Sequence, residues 1–182
     1  MKEEVIQYLE KLFAERGDDM YGKEAVTQRQ HALQSAMLAM DEVGGSDPEL
    51  VMAALMHDIG HIMNEEDFPS DLESNLDDSH EDRAYPWILE NFGARVADPV
   101  RLHVAAKRYL CTVDADYAAR LSPTSYKSYL DQGGNMNEEE RLAFEAEPHF
   151  REAVQLRRWD DAAKDPAART PGLADILAHV WK

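Results

Sequence analysis

Residues 51–61 read VMAALMHDIGH: six apolar residues, a histidine–aspartate pair, and a second histidine three residues further on. The apolar run has the character of a buried helix segment. An aspartate drawn into such surroundings is costly to bury unless it is paired or binds a metal. The stretch therefore predicts a core helix that carries charge inward, and the partner of that charge must come from elsewhere in the chain.

Outward from this segment the periodicity stays helical, and no stretch shows sustained strand alternation with hairpin turns. The expected fold is all-α, a helical bundle in one domain spanning residues 1–182. Helices are expected near 2–15, 26–43, 48–63, 79–92, 96–109, 114–121, 123–131, 138–146, 149–164 and 172–180. GGSDPE ends one helix and starts the next, with Ser46 or Asp47 as the cap before Pro48. NEEDFPSDLESNLDD reads as an acidic loop, and DQGGNMNEEE as a turn followed by an N-cap. There is no repeat, low-complexity tail or interdomain linker.

A chain of 182 residues is long enough to bury a continuous core. Its formal net charge of −17 argues against nucleic acid or an anionic membrane as partner, since both require a basic surface. Basic exceptions such as AAKRYL and LRRWDD are for that reason informative about a small anion. No apolar run is long enough to span a bilayer, and the opening MKEEVIQYLEKLF is acidic and amphipathic, without a signal-peptide core. A soluble, cytoplasmic protein is expected. The single cysteine, Cys111, excludes an internal disulfide and any cluster of thiolate ligands. Metal chemistry would have to use histidine and carboxylate.

Of seven histidines, four lie in helices or helix starts that would pack around one core: His31, His57, His80 and His103. Each alone reads as a hydrogen-bonded, half-buried histidine. Together with Asp58 and Asp160, however, they have the composition of a six-ligand, two-metal site. Neutral imidazole suits iron, zinc or manganese, and a carboxylate between two cations offsets their repulsion. Asp58, directly after His57, is the natural bridge. Lys107 stands four residues after His103 and His61 four after His57, so each pair would share a helix face. Arg157 precedes Asp160 by three. These groups place charge-assisted donors beside the metal ligands, as a small anion requires.

His31, His57–Asp58, His80, His103 and Asp160 follow the HD-domain order. The segments YGKEAVTQRQHALQSA, ALMHDIGH, HVAAKRYL, LSPTS, DQGG and RRWDDAAKDP make the chain similar, along nearly its whole length, to the PhnZ-type HD-domain oxygenases. The resemblance implies a mixed-valent Fe(II)/Fe(III) pair of iron ions, with dioxygen as co-substrate in cleavage of the carbon–phosphorus bond of a 1-hydroxyphosphonate. It implies one iron on His31, His57 and Asp160, the other on His80 and His103, and Asp58 bridging. Tyr21 would ligate an iron until substrate displaces it, and Glu24 would meet the substrate's amino group. His61, Lys107, Ser125, Gln132 and Arg157 would hold the substrate. The implied substrates are 1-hydroxyethylphosphonates bearing a 2-amino or 2-trimethylammonio group, giving glycine or glycine betaine. From residue types alone, Tyr21 reads as a core aromatic, Glu24 as a solvated acid, Ser125 as a helix cap and Gln132 as a surface residue.

The same ligand order serves metal-dependent phosphohydrolases acting on nucleotides or phosphomonoesters, which is the alternative reading; a catalytically inactive regulatory module is a third. Outside the pattern, His149 and His179 read as surface or cap residues. Arg158 and Asp161 are expected to point away from the site and form a salt bridge. The methionines at 37, 40, 52 and 56 and the tryptophans Trp87 and Trp159 read as core. Oligomeric state is not legible in the sequence.

Overall fold

The computed structural model describes residues 3–64 and 80–180. Among them are ten α-helices and no strand, only an isolated bridge between Met20 and Thr27. The helices are α1 (Glu3–Arg16), α2 (Gln28–Val43), α3 (Pro48–Met56), α4 (His80–Phe92), α5 (Ala94–Val113), α6 (Tyr117–Arg120), α7 (Pro123–Asp131), α8 (Glu138–Glu145), α9 (Phe150–Ala162) and α10 (Leu173–Val180). No described helix is long and apolar enough to cross a membrane. The expected acidic loop lies, beyond Asn64, outside the described residues.

Local chemistry fixes the helix ends. Thr27 and Gln30 form a reciprocal capping box at the start of α2, and Asn137 and Glu140 do the same for α8. Of the two candidate caps before Pro48, Asp47 takes the role, accepting from the Leu50 N–H at 3.1 Å. Ser46 instead donates to the Val43 carbonyl.

α5 packs against α9, α4 and α3, and α2 against α3 and α9. The main apolar core joins α1, α2, α3, α4, α5, α9 and α10, with every residue of α3 from Leu50 to Met56 buried in it. Met52 and Met56 are fully buried, Met40 and Trp87 pack at the margin, and Trp159 is buried with its indole N–H donated to Glu42.

The helix expected over 48–63 is broken. α3 ends at Met56, His57 and Asp58 turn the chain, and Ile59–His61 form one 3-10 turn. Within this turn the chain makes a close approach: a Cβ on Gly60 would lie 2.0 Å from the His80 carbonyl oxygen. Only a glycine lets the first residue of α4 pack there, and this brings His80 beside Asp58.

Candidate metal centre and substrate cavity

His31 comes from α2, His57 and Asp58 from the turn after α3, His80 from the start of α4, His103 from α5 and Asp160 from α9. All six are buried. Three of the imidazoles are aimed by backbone carbonyls. His31 Nδ1 lies 2.9 Å from Ala163 O, His57 Nδ1 2.9 Å from Ala54 O, and His103 Nδ1 2.6 Å from Val100 O. A carbonyl only accepts, so each Nδ1 carries the proton and each Nε2 presents a lone pair to the centre.

These lone pairs converge on two neighbouring points. His31 Nε2 and His57 Nε2 are 3.0 Å apart, and His80 Nε2 and His103 Nε2 are 3.4 Å apart. Asp58 divides its carboxylate between them. Its Oδ2 lies 3.4 Å from His31 Nε2 and 3.2 Å from His57 Nε2, while its Oδ1 lies 2.9 Å from His80 Nε2 and 3.4 Å from His103 Nε2. Asp160 Oδ1 joins the first point, 3.3 Å from His31 Nε2.

Asp58 Oδ2 and Asp160 Oδ1 are buried without a hydrogen-bond donor, while Asp160 Oδ2 meets the Arg157 guanidinium. Buried acceptors facing imidazole lone pairs are unfavourable unless a cation stands among them. Burial alone would lower the His31 pKa, yet hydrogen bonds given to the Asp160 and Asp58 carboxylates by the protonated ring raise it to about 9. Nitrogen and carboxylate donors in this mixture suit a borderline transition metal such as iron. The residues fit a two-metal centre.

A cavity of about 280 Å³ opens on this cluster. Tyr21 walls it, its ring stacked on His31 at 3.9 Å between centroids, and burial together with the charges of Asp160 and Asp58 pushes its phenol well up. The Tyr21–Val26 turn holds Tyr21 and Glu24 over the site, with Gly22 at φ +55°. His61, although not one helical turn above His57, still reaches the cavity by stacking on His80 at 3.9 Å, and it groups with Asp58 and His80 closely enough to share a cation.

Basic residues line the same cavity. Lys107, buried to 2% exposure, donates to Ser128 Oγ, and burial with the nearby Arg157 charge pushes its ammonium down to about 8. Arg157 reaches Asp160 Oδ2 at 2.7 Å and also pairs with Asp161. Burial would raise the Asp160 carboxyl, but the Arg157 charge and the His31 hydrogen bond hold it well below the usual range.

All the expected substrate residues, His61, Glu24, Lys107, Ser125, Gln132 and Arg157, line this one cavity. Ser125 is not the cap of α7; that is Ser122. Gln132 is half-buried rather than on the surface, and its Oε1 has no donor. Asp161 forms the expected salt bridge, but with Arg157 and not away from the site, and it also accepts from the Tyr117 hydroxyl. His149 precedes α9 and His179 lies in the last turn of α10, both apart from the cavity.

The sequence reading passed over Ser128 and Lys164. Ser125, Ser128 and Gln132 fall at i, i+3 and i+7, a face that could have been read from spacing. Lys164 stands four residues after Asp160 and seven after Arg157 in the helix expected over 149–164, a spacing that could also have been read, although α9 ends at Ala162.

An all-helical bundle with a buried histidine–aspartate cluster that opens on a cavity defines the class, a metal-binding helical protein of HD-domain type. No protein-family model matches the chain. It is 41% identical over 177 residues to hydroxymethylphosphonate dioxygenase of Gimesia maris, covering 97% of this chain and 87% of that one. It is 37% identical over 167 residues to [1-hydroxy-2-(trimethylamino)ethyl]phosphonate dioxygenase (glycine-betaine-forming) of Leisingera caerulea, covering 92% and 84% of the two chains. An uncharacterised protein of Acanthamoeba polyphaga mimivirus is 34% identical over 154 residues, 84% of this chain and 69% of its own. The chain belongs to the phosphonate dioxygenase family and is an oxygenase.

Proposed function

We propose that the protein cleaves the carbon–phosphorus bond of a 1-hydroxyphosphonate with dioxygen, releasing phosphate and a carboxylic acid. The observation that carries the reading is one cavity lined both by histidines and aspartates of the cluster and by Lys107 and Arg157. His31, His57 and Asp160 would hold one iron, His80 and His103 the other, and Asp58 both. A mixed-valent iron pair would supply activation of dioxygen and removal of hydrogen from the hydroxylated carbon.

The chain's own residues do the rest. Lys107 keeps two N–H donors beyond the one given to Ser128, and each terminal nitrogen of Arg157 keeps an N–H after its carboxylate contact. Together with the Ser125 and Ser128 hydroxyls and the Gln132 amide, they are the right donors for three phosphonate oxygens. His61 lines the cavity, stacked on His80. Tyr21 closes the cavity over His31 and limits entry of water. Glu24 marks the end where a substituent on the hydroxylated carbon would lie.

The two substrates expected from sequence carry an amino or a trimethylammonio group, and the name of the Gimesia relative adds hydroxymethylphosphonate, which has neither. For that compound the balance needs no external reductant: one dioxygen converts hydroxymethylphosphonate to formate, hydrogen phosphate and a proton.

The test is phosphate release by iron-loaded protein from all three compounds, with and without dioxygen. Release that requires oxygen is expected. Oxygen-independent release from ordinary phosphomonoesters would replace this reading with the phosphohydrolase alternative.

A further inference from the structure

Arg157 is 4% exposed, and its guanidinium is shared by two consecutive carboxylates of its own helix. Asp161 takes the side edge: Arg157 Nε donates to Asp161 Oδ2 at 3.3 Å, and Nη2 donates to Asp161 Oδ1. Nη1 lies 2.7 Å from Asp160 Oδ2. A side-on, two-point grip fixes the plane of a guanidinium as well as its place. One N–H on each terminal nitrogen is left over. Arg157 and Asp160 line the cavity, whereas Asp161 stands behind them, outside its wall.

Asp161 is itself held from outside α9. Its Oδ2 accepts from the hydroxyl of Tyr117, on α6. Tyr117 is buried with Leu110, Cys111 and Tyr129, and the Arg120 guanidinium stands 5.7 Å from its ring centroid. Burial pushes the Tyr117 phenol well up, which keeps it protonated as the donor. Lys164 Nζ is 3.9 Å from Asp161 Oδ1, but it donates to Ser125 Oγ at 2.8 Å and lies 4.0 Å from Glu24 Oε1. Arg157 is thus the principal counter-ion of Asp161.

Without Asp161, the carboxylate left to Arg157 is Asp160, one of the six cluster residues. Opposite charges this close and this buried attract strongly. The guanidinium would then turn fully onto Asp160, and the N–H groups it keeps for a ligand would be lost.

We infer that Asp161 is a positioning residue for the substrate anion: held by Tyr117, it grips Arg157 side-on and keeps that guanidinium divided between Asp160 and the phosphonate. The role rests on the proposed carbon–phosphorus cleavage and falls to a residue that touches neither substrate nor metal. The sign of its effect separates it from simple electrostatics. By charge alone, removing an acid near the cavity tightens binding of a dianion; removing a positioning acid weakens it.

The experiment takes whichever of the three hydroxyphosphonates binds wild type most tightly. Dissociation constants are measured by calorimetry without oxygen in iron-loaded wild type, Asp161→Asn, Arg157→Gln and the double variant, and KM and kcat for phosphate release are read in air. Asp161→Asn should keep its iron and weaken binding about tenfold or more, the loss of two charge-assisted bonds to Arg157. The loss should fall on KM, with kcat changed less than about threefold. In the Arg157→Gln background the same change should alter affinity less than about twofold, since no guanidinium is left to hold. Tyr117→Phe keeps the Asp161 charge but frees its carboxylate from the hydroxyl, and should weaken binding roughly threefold.

Unchanged or tighter binding in Asp161→Asn overturns the inference, and so does a loss confined to kcat. An equal loss in the Arg157→Gln background would make Asp161 part of the general fold and overturn it too. Should Asp161→Asn fail to fold, Tyr117→Phe and its cycle with Arg157→Gln decide in the same way. The expected affinities without any oxygen-dependent phosphate release would sink the reaction and leave the role of Asp161 standing. Wild type that binds none of the three compounds overturns both.

Discussion

Asp58 is the residue on which both halves of the cluster depend, because each of its oxygens faces a different histidine pair. Asp58→Ala should therefore lower metal content from two ions per chain to one or fewer, measured by elemental analysis after iron loading. Two irons retained with normal turnover would remove Asp58 from the bridge. Lys107 is the corresponding residue for the anion. Lys107→Ala should leave iron content intact and cost about 2 kcal/mol of substrate binding, roughly thirtyfold in KM; an unchanged KM would place the phosphonate elsewhere.

Lys107 also sets a pH dependence. Burial and the Arg157 charge hold its ammonium near 8 in the unliganded protein. A dianion binds the charged form and raises that pKa, so binding takes up a proton above pH 8 and none well below it. Affinity should be level below pH 8 and fall by up to about tenfold per pH unit above it. The falling limb should vanish in Lys107→Ala, and its persistence there would assign it to another group.

At the scale of elements, the junction between α3 and α4 is where packing and chemistry meet. Gly60 carries no side chain because the His80 carbonyl occupies the space of its Cβ. Gly60→Ala must push the first turn of α4 away, taking the His80 imidazole from Asp58. The expected result is a loss of roughly 1–3 kcal/mol in stability, as for other overpacked sites, with weaker metal retention on dialysis. Unchanged retention would mean that α4 can shift without moving its histidine. The tie between α2 and the segment after α9 acts similarly: Gln34 clasps Asp165 while His31 holds Ala163, so one helix sets both a candidate ligand and Lys164.

For the molecule as a whole, the cluster joins segments that are distant in the chain: α2, the turn after α3, α4, α5 and α9. Metal bound there favours the folded state over the unfolded by mass action, about 2.7 kcal/mol at a hundredfold excess over Kd. Chelation should accordingly lower Tm by several degrees, and restoring iron should recover it; a Tm indifferent to chelator would argue against a metal centre at this cluster. The charge distribution follows the same division. A chain of net charge −17 gathers Lys107, Arg157 and Lys164 around a single small cavity. Attraction of a dianion is therefore confined to that spot instead of spread over the surface.

Most helix positions, the presence of a cap before Pro48 and of another in DQGGNMNEEE, and the residue types of the cluster were legible because they rest on local spacing: apolar period, turn chemistry, and histidine and aspartate carried into apolar runs. Even the break after Met56 had its glycine in view, but the need for it arises only when His80 arrives from α4. Tertiary packing alone decided that Asp58 faces two histidine pairs, that Ser128 joins Lys107, and that Lys164 turns toward Glu24. Spacing along a chain determines which side chains share a face of one helix. Which faces meet, and which charge neutralises which, depends on distances between residues up to 140 positions apart, as for Glu24 and Lys164.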